Sequence, residues 1–83
     1  MAVPDGPIEV WLRLTNLAVT CTVVYEDEST TNLNVQALSM RGAEHEITDF
    51  LVDQGYKPVG HWHAEGEYGQ EVSRRFAPHA VAQ

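Results

Sequence analysis

The sequence predicts an α+β domain: an antiparallel four- to five-stranded sheet with one helix packed across one face, in the order βββαββ. Three observations predict it. Only one stretch, Ser39 to Gly55, carries a helical period. The segments on either side alternate apolar and polar residues or are rich in β-branched ones. The connections between them are short, which favours antiparallel neighbours.

Residues 1–7 hold Pro4, Pro7 and Gly6 and read as an extended or turning lead-in. Ile8 to Leu14 then alternates. Ile8, Val10, Leu12 and Leu14 point one way; Glu9, Trp11 and Arg13 point the other. Trp11 on the polar side either covers a sheet edge or belongs to an interface. Thr15-Asn16 is a tight turn or the bend of one long strand. Leu17 to Glu26 is β-branched and places Val19, Cys21, Val23 and Tyr25 on one face. Asp27-Glu28-Ser29 is a polar turn. Thr30 to Gln36 forms a third strand with Leu33 and Val35 inward, although Asn32 and Asn34 weaken the signal.

In the helix, Met40, Ala43, Ile47, Phe50, Leu51 and Gln54 recur at steps of three and four and line one face. Ser39 is placed to accept from a free N–H of the first turn. Gly55 suits the left-handed residue that ends a helix. Glu44, Glu46, Asp49 and Asp53 form its wet face, with His45 at the rim. After Tyr56-Lys57-Pro58, Val59 to Gly66 is a strand in which Trp62 and Ala64 face the core. A turn at Gly66-Glu67-Tyr68-Gly69 leads into a last strand, Glu71 to Ala77, ended by Pro78. Residues 79–83 form a loose tail.

The chain of 83 residues makes one domain with a small core. Twelve acidic against five basic residues leave a net charge of −7. That surface repels phosphates, so direct nucleic-acid binding is not expected. The single cysteine, Cys21, excludes an intramolecular disulfide and reads as a small buried hydrophobe. The opening MAVPDGP has neither the basic region nor the apolar core of a signal peptide, and no apolar run reaches the roughly 20 residues of a membrane span. A complete, cytoplasmic protein is the expectation.

One pattern carries possible chemistry. In Gly60 to Glu67, strand alternation turns His61, His63, Glu65 and Glu67 to one side. Two imidazoles at i and i+2 can chelate a divalent metal, with Glu67 completing the site or His79 joining from the tail. The order Gly55, His61, His63, Glu67 resembles the first motif of cupins. It departs where that motif closes on Gly, because position 74 is Arg, and the second cupin motif has no counterpart. The plain alternative is an exposed His- and Glu-rich strand face. Arg74 and Arg75 are expected to balance Glu65, Glu67 and Glu71 across the hairpin.

Three functions follow as expectations. The first is a small acidic binding or regulatory protein without catalysis, working through protein–protein contact at a face bearing Trp11 or Trp62. A homodimer built on the uncovered sheet face is one form of it. The second is a metal-binding protein using His61, His63 and Glu67. The third is an acidic inhibitor that mimics nucleic acid.

Overall fold

The computed structural model describes residues 6–16, 18–66 and 70–78. It contains β1 (Ile8–Leu14), β2 (Val19–Val24), β3 (Thr30–Leu33), α1 (Met40–Asp53), β4 (Tyr56–Glu65) and β5 (Glu71–Pro78). The five strands form one antiparallel sheet in the order β3-β2-β1-β5-β4. The predicted architecture, βββαββ with one helix across the sheet, is the observed one.

Register explains the faces. Leu12 stands between Cys21 and Val72, and Val10 between Val23 and Arg74. Ile8, Val10, Leu12, Val19, Cys21, Val23, Val72 and Phe76 therefore share the inner face, buried beneath Ala43, Ile47 and Leu51 of α1. The other face carries Glu9, Trp11 and Arg13, flanked by Thr20, Thr22, Glu71, Ser73 and Arg75. Val24, Val59 and Ala77 share it, so polar and apolar residues are mixed there.

Side chains and small residues set the turns. Thr15 closes the β1–β2 turn: its N–H and hydroxyl both donate to the Ala18 carbonyl at 2.8 Å. Residue 17 lies outside the described residues, so the start expected there is untested. In the β2–β3 turn, Tyr25 N–H donates to Ser29 O at 2.9 Å, while Glu28 takes a left-handed φ of 71°. Ser39 caps α1 as expected, its hydroxyl accepting from Gly42 N–H at 3.1 Å. Gly55, at φ 100°, turns the chain straight into β4.

Three expectations need correction. The third strand stops at Leu33 rather than Gln36. Glu46 lies not on the wet face but against the β3–α1 connection that follows. Its carboxylate accepts from Gln36 N–H at 3.0 Å and Ala37 N–H at 2.9 Å, taking amides a longer strand would have used. The helical stripe is also narrower than its period implied: Phe50 is 45% exposed and Gln54 is exposed. Arg74, finally, does not face Glu71. Between Val59 and His63 the ladder slips, so Gly60, His61 and Trp62 stand opposite Arg74 alone. Arg74 lies on the inner face, where its Nη2 donates to Gly60 O at 2.5 Å and its guanidinium sits 5.9 Å from the centre of the Phe76 ring. Gly60 reaches this bulge with φ 69°.

Candidate binding groove

The helix packs on β4 and β1; the inner face of β2 is buried, and β3 at the sheet edge is left partly open, with Thr31 exposed and Leu33 half-buried. An open groove of about 740 Å³ lies there, between the C-terminal half of α1 and the β2–β3 edge of the sheet. Its floor is apolar: Ile8 and Val23 from the sheet, Leu51 from the helix, and Leu33 from β3. Phe50 and Tyr56 stand on the helix side. Tyr25, 36% exposed, stands where β2 ends.

The rim is anionic. Glu26 and Asp27 line it, and no Lys, Arg or His does among the described residues. The Ser29 hydroxyl and N–H both donate to Asp27 Oδ1, at 2.5 and 3.0 Å, and hold this carboxyl below its ordinary range. The charge at the groove mouth therefore persists in mildly acidic solution. Glu26 folds against Gly6, where a Cβ would collide with the carboxylate.

The residues singled out from sequence lie elsewhere. His61 sits in the β4 bulge, and His63 stands opposite Ser73 on the polar face; both are exposed. Glu65 faces Glu71 one step along that side. Glu67 and His79 lie outside the described residues. Among the described residues no three His, Cys, Asp or Glu side chains gather closely enough to hold a metal ion. The two tryptophans are on opposite faces. Trp11 is central on the polar face, its Nε1–H donating to Glu9 at 3.0 Å. Trp62 packs edge-on against Phe76, ring centres 6.1 Å apart. Cys21 is buried as expected. Burial first, and then the Glu46 charge, push its thiol up to about 12, which leaves it unreactive.

The groove is not legible in the sequence because its parts belong to five elements. Tyr25 and Phe50 were visible as inward-facing, yet nothing local says that the helix stops short of covering them. Among the described residues, no helix is long and apolar enough to cross a membrane. The chain matches no protein-family model, no curated protein and no solved structure, so the reading of its function rests on this geometry.

Proposed function

We propose that this chain is a small acidic binding protein, acting by contact with another protein and without catalysis of its own. The observation that supports it is the groove. Phe50 and Tyr25, both exposed, and half-buried Leu33 surround it above the core residues Ile8, Val23 and Leu51. Apolar surface arranged this way marks interaction sites. The lining offers contact area and a fixed negative rim, a combination suited to recognition.

The test places a photo-crosslinking residue, p-benzoylphenylalanine, at Phe50 in the groove and, separately, at exposed Thr20 on the polar face. Irradiation in the protein's own cells should give a discrete protein adduct from position 50 and none from position 20. An adduct of twice the chain's mass would make the partner a second copy. No adduct at 50, or equal adducts at both positions, would refute the proposal.

A further inference from the structure

We infer that the groove receives an extended cationic segment of the partner, which adds to the sheet as a sixth strand beside β3. The inference rests on the reading of the groove as a protein-binding site and specifies what fills it.

The two sheet edges differ. β4 is guarded: it carries Lys57 and Pro58 and is broken by the bulge between Val59 and His63. These features discourage pairing with a further strand. β3, Thr30–Leu33, carries no charge, proline or bulge and pairs only with β2. No backbone hydrogen bond from outside the sheet reaches Thr30–Leu33 among the described residues. Alternate N–H and C=O groups of β3 thus remain open for a further strand.

The open edge borders the groove. Leu33 pairs with Cys21 and Thr31 with Val23, so both are on the inner face, and both line the groove. A strand added about 4.8 Å away would set its own inner-facing side chains alongside them. Every pair in this sheet is antiparallel, the arrangement that is slightly more stable per residue. An antiparallel segment runs from Leu33 toward Ser29. Its first two inward residues, beside Leu33 and Thr31, meet apolar surface. The next inward residue, beside Ser29, meets Asp27 and Glu26. The required pattern is apolar-x-apolar-x-Lys or Arg, with the cation on the C-terminal side. The chain's net charge of −7 favours the approach of such a segment.

The test is amide NMR on the full chain, titrated with the acetylated and amidated peptide Val-Thr-Phe-Thr-Lys. Shifts should concentrate at Thr30 to Leu33 and along the groove. Replacing the peptide's Lys by Glu, or reversing its order, should weaken binding about tenfold, as should Glu26→Gln with Asp27→Asn. N-methylation of the alternate peptide amides should abolish binding, because only strand pairing needs those N–H groups. Shifts on the polar face, equal binding by the Glu peptide, or binding by the N-methylated peptide would each overturn the inference. A crosslink at position 50 without shifts at β3 would reject strand addition and leave the groove as a binding site. Loss of both would reject both readings.

Discussion

Replacing Glu46 tests how the sheet passes its chain to the helix. The carboxylate accepts two backbone amides across nine and ten residues of sequence, at 2.9 Å from Ala37 and 3.0 Å from Gln36. Hydrogen bonds to a charged acceptor contribute about 1.5–3 kcal/mol each when sheltered. The Gln36 amide is exposed and can return to water, so its share is a few tenths. The Ala37 amide is partly buried and takes the low end of the range. Glu46→Ala should therefore cost about 2 kcal/mol. For a chain of this length that lowers Tm by about 8–16 °C. Glu46→Gln keeps one acceptor oxygen and should cost about half as much. Urea unfolding of the three proteins measures this. Hydrogen exchange should also quicken at residues 34–38, whose Val35 and Ala37 pack on the core through this tether. An Ala variant within about 0.5 kcal/mol of the parent would refute the argument. Equal losses for Ala and Gln would show that the charge, and not a neutral acceptor oxygen, is what holds the amides.

Other outcomes follow from single positions. Cys21 titrates near 12 when folded and near 9.0 when free, so the unfolded chain loses its proton first. Stability should therefore be whole below pH 9 and fall as pH rises toward 12, by on the order of 1 kcal/mol per unit. Urea midpoints for the parent and Cys21→Ala measure this, and equal alkaline slopes would count against it. Glu28 adopts a φ of 71° without being Gly, and Glu28→Gly should stabilise by about 0.5 kcal/mol in thermal melts. A loss of stability would mean the Glu28 side chain contributes something its turn geometry does not show. Substituting Ala for exposed His61 and His63 together should leave stability within about 0.5 kcal/mol, with or without zinc. A zinc-dependent rise lost in the double variant would move the metal reading to first place.

Local rules made most of the elements legible. Alternation in Ile8–Leu14 and β-branching in Val19–Val24 mark strands because side-chain period and packing are properties of a few neighbours. Ser39 and Gly55 mark the helix ends because capping is chemistry between adjacent residues. Failures came where a distant partner decides. Glu46 reads as a solvated helix acid until the chain at Gln36 and Ala37 passes above it. Arg74 reads as a cross-hairpin ion-pair partner until the two extra residues of the β4 bulge give its guanidinium the Gly60 carbonyl. The bulge also falls at His61, within the pattern that joins His61 to His63, while Glu67 lies outside the described residues.

The groove follows from proportion. Five strands about 4.8 Å apart make a sheet about 19 Å wide between its outer strand axes. A helix with its side chains is about 10–12 Å across. One helix cannot cover the inner face, and here it lies over β1 and β4. The uncovered strip falls at the β3 edge, and the β3–α1 connection closes only part of it, where Val35 and Ala37 reach the core. The rest is the groove, with Leu33 on one side and Phe50 on the other. A second helix could have sealed it. A polar residue at position 33 or 50 would have made the strip polar. Apolar residues stand at both positions, and the edge beside them carries none of the guards that β4 carries. The same strip that the fold leaves open is the one where the sequence places apolar side chains.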